Sequence, residues 1–227
     1  MKNIRWQPIS DSLREIYQEQ NILHHFEGDE AYLKNAFEIT EKLWGEQFNK
    51  IDKLKIIMIS ESPLFGDIQK YIYNINTRPS SFFYFQDIQA FPNCENIIQP
   101  TTIQEQKKIM LETFQKNGFL ILDIFPFALN QKDTVINYRQ MNITLYKQLL
   151  KIVTDNYLIP KLTLCLEKSS KQTHFIYRYK KLFDKTENYF ESVLNNISLK
   201  EIQYKIDTIN GTNMSLDRNK LKELLKA

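Results

Sequence analysis

Two short, nearly unbroken apolar runs constrain this chain more than any other feature: Leu54-Lys55-Ile56-Ile57-Met58-Ile59 and Phe119-Leu120-Ile121-Leu122-Asp123-Ile124. Apolar runs of this length without polar alternation suit strands buried on both faces, the environment of a parallel sheet. The first ends at Ser60-Glu61-Ser62-Pro63, a turn sequence, and the second follows Gly118, which is suited to close a helix over 101–117 in a left-handed cap. Leu162-Thr163-Leu164-Cys165-Leu166, after Pro160, predicts a third strand, and Ile202-Gln203-Tyr204-Lys205-Ile206, leading to Asn210-Gly211, a fourth. Helical spacing predicts helices over about 9–26, 29–48, 101–117, 137–157, 173–195 and 215–226. Strands separated by helix-length connections imply an α/β fold, a three-layer α/β/α arrangement around a four-stranded, mainly parallel sheet.

At 227 residues, with 15 Phe and 12 Tyr, the chain can fill one shared core, and no composition break or linker divides it. A single domain over 1–227 is expected, with the helices of residues 1–50 packed on it. The net charge of +3 permits contact with nucleic acid but is far from a dense basic patch. Two cysteines, Cys94 and Cys165, lie far apart without further ligands at metal spacing, so no disulfide scaffold, metal centre or cofactor is expected. The opening Met1-Lys2-Asn3-Ile4-Arg5-Trp6 leads into a polar amphipathic stretch, and no membrane-length apolar run follows. A cytoplasmic location without membrane contact is the expectation, and the oligomeric state is open.

In parallel α/β sheets, ligands bind outside the carboxyl ends of the strands. That rule selects the loops 60–66, 123–130, 167–172 and 210–215. The first carries Ser60, Glu61, Ser62 and Pro63, the second opens on Asp123, the third holds Lys168 and Ser169, and the fourth leads into Asn210-Gly211-Thr212-Asn213-Met214-Ser215-Leu216-Asp217-Arg218.

These loops, in this order, resemble the uracil-DNA glycosylase superfamily. There a short strand ends in a small residue, two variable positions and a proline, and the catalytic acid or amide stands just before the proline or, in one branch, as Glu one place earlier. The resemblance makes Glu61 the residue that orients the attacking water, with Ser60, Ser62 and Pro63 shaping the substrate loop. Asp123 takes the place of the polar residue, usually Asn, that reads the edge of a flipped base. An ionised carboxylate only accepts hydrogen bonds, so Asp123 would favour an edge presenting N–H groups. Asn210 matches the mismatch-specific branch of the third motif, Met214 its apolar wedge, and Ser215 and Arg218 its serine and arginine. Thr212, Asn213 and Ser215 would lie at a helix start able to hold a phosphate, while Met214 would fill the gap left by an extruded base. The sequence departs from the pattern in having neither Asp nor Asn before Pro63 and no His in the third motif.

The activity so implied is hydrolysis of the N-glycosidic bond of an altered, flipped base in duplex or single-stranded DNA, a DNA-repair chemistry, with Glu61 and Asn210 catalytic. The alternatives are a non-catalytic nucleic-acid or nucleotide binder on the same fold, or another α/β hydrolase or nucleoside-processing enzyme. Lys168 and Ser169, at the end of the third strand, are expected to contact a DNA phosphate. Plain structural readings stand beside each residue: Glu61 as a loop acid, Asp123 as a cap of the following segment, and Lys168 and Ser169 as loop polarity. The aromatic stretch from Tyr71 to Phe85 reads mainly as packing, with Tyr84 or Phe85 the candidate to stack on a base. Arg178, Lys180, Lys181 and Lys185 read as a solvated charge run.

Overall fold

The computed structural model describes residues 4–64, 70–79, 82–197, 205–211 and 215–226. Two helices come first, α1 (Trp6–Glu19) and α2 (Phe26–Lys50), and α1 packs on α2. Their buried stripes follow the helical period, with Ile9, Leu13, Ile16 and Tyr17 on the first and Leu33, Phe37, Trp44 and Phe48 on the second. The chain then forms β1 (Leu54–Ser60), α3 (Ile103–Lys116) and β2 (Phe119–Asp123). After these come α4 (Ile143–Val153), a π-helical turn at Thr154–Leu158, α5 (Ile159–Glu167), β3 (Ser169–Tyr177), α6 (Lys180–Ile197), β4 (Lys205–Thr208) and α7 (Arg218–Lys226).

Among the described residues the sheet has the strand order β2-β1-β3-β4, and every pairing is parallel. The result is a mixed α/β fold in which helices flank a parallel sheet, an arrangement compatible with three layers. The first strand is placed where the apolar run predicts it, and so is the second. Gly118, at φ +62°, turns α3 into β2 in the left-handed conformation, and a Cβ there would stand 2.3 Å from the Lys53 carbonyl oxygen. Its own carbonyl accepts from the amides of Lys55 and Ile56, so the turn also starts the β1–β2 ladder.

The predicted third strand is corrected. Residues 162–166 belong to α5, which buries Leu162, Cys165 and Leu166 at the i, i+3, i+4 spacing of one helical face and has Pro160 in its first turn. The strand is Ser169–Tyr177 instead, inside the segment read as a loop and the start of a helix. Its first half is polar, and its pairing with β1 jumps from Leu54↔Ser169 to Ile56↔His174. Thr173 stabilises this irregularity: its hydroxyl donates to the Leu54 carbonyl at 3.0 Å and accepts from the Ser170 amide at 2.9 Å. The fourth strand is described from Lys205, and residues 202–204 of its predicted span lie outside the described residues.

Among the described residues, the outer edge of β2 is closed by side chains. The Tyr73 hydroxyl accepts from the Ile121 amide at 2.6 Å and donates to the Ile121 carbonyl at 3.0 Å, and Trp44 Nε1 donates to the same carbonyl at 3.1 Å. Unpaired edge groups are thereby satisfied by ordered aromatics. Beside this edge Phe83, Phe91, Phe114 and Phe119 form a cluster whose contacting ring centroids lie 4.8–6.3 Å apart, all tilted or edge-on.

Candidate functional site: a cleft at the carboxyl ends of the strands

The first two strands end together. Ser60 and Asp123 are register partners, and the ladder continues past them as the amides of Ile124 and Phe125 donate to the carbonyls of Ser60 (2.9 Å) and Glu61 (3.0 Å). Both loops therefore leave the sheet side by side. The strand order reverses direction about β1, with β2 on one side and β3 on the other, and such a reversal opens a crevice at the carboxyl ends. A cleft of about 310 Å³ lies there.

Its floor is built from Ser60, Tyr71, Ile72, Ile121 and Asp123, all buried or nearly so. The Tyr71 hydroxyl donates to Asp123 Oδ2 at 3.0 Å, and the Ser60 hydroxyl also bonds the Asp123 carboxyl. Burial pushes the Asp123 carboxyl up to about 6, opposed by these two hydroxyls and by the Lys161 ammonium. Burial, reinforced by the Asp123 charge, holds the Tyr71 phenol well above its ordinary value, so it remains a donor.

Tyr71 is held in place by its own loop. The Asn74 amide and the Thr77 hydroxyl both donate to the Tyr71 carbonyl, at 3.0 and 3.3 Å. The buried Lys107 of α3 donates from Nζ to the Ile72 carbonyl, and burial pushes its ammonium down to about 7.

Deeper still, Lys161 of α5 is buried in an ion pair with Glu41 at 2.8 Å, its ammonium 3.4 Å from the centroid of the Trp44 ring. Desolvation lowers the Lys161 pKa, opposed chiefly by the Glu41 carboxylate and, more weakly, by Asp123. The floor aspartate thus sits over a buried charge network.

Glu61 stands on the wall of the cleft, half-exposed, its carboxylate 3.8 Å from Lys185 Nζ. Lys185 in turn lies 3.1 Å from the centroid of the buried Tyr146 ring, and burial lowers its pKa against the opposing pull of Glu61. Burial and the Glu61 charge together raise the phenols of Tyr146 and Tyr138, and Tyr138 also hydrogen-bonds Ser62. Lys185 is therefore no member of a solvated charge run, and neither is Arg178. That residue follows β3, is fully buried, donates from Nε to the Phe82 carbonyl at 2.7 Å and from Nη1 to the Ser215 carbonyl at 3.3 Å, and stacks 4.7 Å from Tyr179.

Of the residues expected at the site, Ser60, Glu61, Ser62 and Asp123 line this cleft. Pro63 lines an adjoining cleft of about 320 Å³, on which Glu61, Ser62 and Leu64 also border. The aromatic wall differs from the expectation. Phe85 is buried in the core, and Tyr84 is about half-exposed at the start of a short 3-10 helix where its amide donates to Asp87, so neither lines the cleft. Tyr71, Phe82 and Tyr179 supply the rings instead, the last two edge-on at 5.9 Å.

Lys168 and Ser169 lie at the amino end of β3, at the opposite end of the sheet. Lys168 Nζ satisfies the Phe48 and Ile51 carbonyls at the end of α2, at 2.8 and 2.7 Å, and Ser169 Oγ donates to the Cys165 carbonyl at 2.8 Å. Their role is to join α2, α5 and β3, and the displacement follows from the corrected strand.

Asn210 is absent from the described lining of the cleft and turns on itself: it forms a bridge with Leu216, and its Nδ2 donates to the Gly211 carbonyl at 3.0 Å. The Ser215 carbonyl accepts from the Gly211 amide at 2.8 Å and from Arg178. Arg218 is paired with the buried Asp87 at 2.9 Å. Thr212, Asn213 and Met214 lie outside the described residues.

Tyr179 and Lys161 are not singled out by the sequence, which gives Tyr71 as mainly packing and Arg178 and Lys185 as a solvated charge run. Arg178 and Tyr179 had a usable signal, because they directly follow the apolar Phe175-Ile176-Tyr177, and a strand placed there would have brought them under the carboxyl-end rule.

No protein-family model, no curated protein and no solved structure matches the chain. Among the described residues no group of three or more His, Cys, Asp or Glu side chains could hold a metal ion. No helix of the described residues is long and apolar enough to cross a membrane.

Proposed function

We propose that the cleft takes a nucleobase and that the protein hydrolyses its N-glycosidic bond, as a divergent relative of the uracil-DNA glycosylase superfamily acting on a base extruded from DNA. One observation carries the reading: Glu61 and Asp123, from the carboxyl ends of neighbouring parallel strands, line the same cleft, and its walls include aromatic rings. The cleft's volume, near the lower end of the range for small-molecule sites, suits a single base.

In this reading Asp123 accepts hydrogen bonds from the base edge, and Phe82 or Tyr179 offers a face to the ring. Glu61 orients a water at the sugar carbon, and its charge stabilises the oxocarbenium-like transition state. The C–N bond breaks with its electron pair leaving on the base, and the water delivers hydroxide to the sugar and a proton to Glu61 or solvent. Asn210, with its amide already bonded to Gly211, is assigned to shaping the 210–218 turn rather than to stabilising the leaving base.

That placement of Asn210 also favours a second reading, a non-catalytic nucleotide or nucleic-acid binder, since no other group from the third motif takes over leaving-group stabilisation among the described residues. Release of free base from oligonucleotides separates the two. The enzyme reading expects release that is lost in Glu61→Gln, and the binding reading expects none from the wild type under conditions where DNA is bound.

A further inference from the structure

The floor of the cleft has an uneven supply of donors and acceptors. Both hydroxyls beside Asp123, those of Tyr71 and Ser60, direct their protons to its carboxyl. A carboxylate has about four lone-pair positions, so two remain after these bonds, and among the described residues no other side chain donates to them. The rest of the described floor, Ile72 and Ile121, is apolar in its side chains. At the described floor a ligand edge meets the acceptor capacity of Asp123 and two hydroxyls whose protons are already directed to it, while Ser62 and Lys70, which also line the cleft, can donate elsewhere along a ligand.

From this juxtaposition we propose that the cleft selects a guanine-type edge, in which a ring N–H stands beside an exocyclic amino group, with both donors directed to the Asp123 carboxylate. The inference rests on the reading that a nucleobase occupies the cleft and names which one. Uracil and hypoxanthine offer a single ring N–H flanked by a carbonyl or a C–H, so they leave one carboxylate position unmet at a buried site. Adenine presents a bare ring nitrogen beside its amino group and sets an acceptor against an acceptor. Two parallel N–H···O bonds to one carboxylate give both charge assistance and orientation. The rings of Phe82 and Tyr179 on the wall supply apolar surface for a purine. Pterins carry the same edge, so the chemistry is shared and the source has to be separated by experiment.

The test is calorimetric binding of nucleosides to the whole protein at pH 7.5, which needs no hydrolysis. Guanosine is expected to bind about ten-fold or more tightly than inosine, which lacks only the amino group, and more tightly than uridine and adenosine. N2,N2-dimethylguanosine and 1-methylguanosine, each with donors blocked, are expected to lose that advantage on wild-type protein, so the result does not hang on a variant that fails to fold. Asp123→Asn is expected to bring the guanosine-to-inosine ratio close to one. A free pterin that binds with the same dependence on Asp123, and more tightly than guanosine, supports the edge and assigns the ligand to the pterin source. Equal affinity for guanosine and inosine, or no effect of the methyl groups, overturns the inference while leaving base binding in place. Binding of none of these nucleosides or pterins overturns both the inference and the reading beneath it.

Discussion

Ser60 and Asp123 face each other as register partners at the carboxyl ends of β1 and β2, and the serine hydroxyl bonds the aspartate carboxyl. With Tyr71 donating to the same group, a buried carboxylate is held in one orientation at the floor of a cleft. Its pKa, pushed up to about 6 chiefly by burial, lies above the value of 3.8 expected in the unfolded chain. Between these values the folded protein holds a proton that the unfolded chain releases. Stability from this group is thus fully present below about pH 4 and is lost as pH rises through 6. Urea denaturation of wild type and Asp123→Asn across pH 4–7 is expected to show the wild type losing ground to the variant with rising pH, by on the order of 2 kcal/mol. Ligand binding has the opposite sign: a base donating N–H bonds needs the ionised form, so affinity falls as pH drops through about 6, and the variant shows no such fall.

Lys107 gives a second pH signature, with a different origin. It is buried, bonded to the Ile72 carbonyl, and its pKa is pushed down to about 7 from 10.5 by desolvation. The unfolded chain binds a proton between these values that the folded state gives up, so stability rises with pH across that window. The stability of wild type relative to Lys107→Met is expected to climb from pH 7 to pH 10 by up to about 1.4 kcal/mol per pH unit. A difference that does not change with pH would mean that Lys107 stays charged in the fold.

Gly118 joins α3 to β2 with φ +62° and no room for a side chain, because the Lys53 carbonyl oxygen stands 2.3 Å from where a Cβ would be. Gly118→Ala combines a strained backbone conformation with a clash against fixed backbone, and is expected to destabilise by roughly 2–4 kcal/mol in chemical denaturation. A loss under 1 kcal/mol would show that the turn relaxes freely.

The sequence exposed the parts of this architecture whose signal is local. Gly118 and the runs beginning at Leu54 and Phe119 depend on backbone conformation and on burial along a few consecutive residues, and both strands and the turn between α3 and β2 stand where those signals put them. The third strand was hidden because Ser169, Ser170 and Gln172 are polar and the pairing with β1 is interrupted, while Leu162, Cys165 and Leu166 present an apolar run whose helical period is easily read as a strand. That one shift moved Lys168 and Ser169 to the far end of the sheet and concealed Arg178 and Tyr179. Lys161, Glu41 and Lys185 were not legible for another reason. Their partners, Glu41, Glu61 and the Trp44 ring, lie 117 to 124 residues away in the chain, and only the fold brings charge and ring together.

The Lys161–Glu41 pair under the floor shows what such long-range placement costs. Removing one partner, as in Glu41→Gln, leaves a buried ammonium without its counter-charge and is expected to destabilise by about 3–5 kcal/mol. The double replacement Glu41→Leu with Lys161→Met is expected to recover most of that loss, since apolar side chains need no compensation there. A double variant as unstable as the single one would show that the pair supports the fold through packing on Trp44 rather than through charge.

In the proposed reaction Glu61 acts on a base held over Asp123. Glu61→Gln preserves the shape of the wall but removes the charge that stabilises an oxocarbenium ion, and removes a repulsion toward phosphate. The deciding measurement is release of free base from single-stranded and duplex oligonucleotides containing uracil, hypoxanthine or guanine-type bases, wild type against Glu61→Gln, with DNA affinity followed in parallel. Release by the wild type is expected, with a fall of at least about a hundred-fold in the variant and affinity kept or improved. A wild type that binds DNA and releases no base from any of these substrates, or a Glu61→Gln variant as active as the wild type, would contradict the proposed role of Glu61.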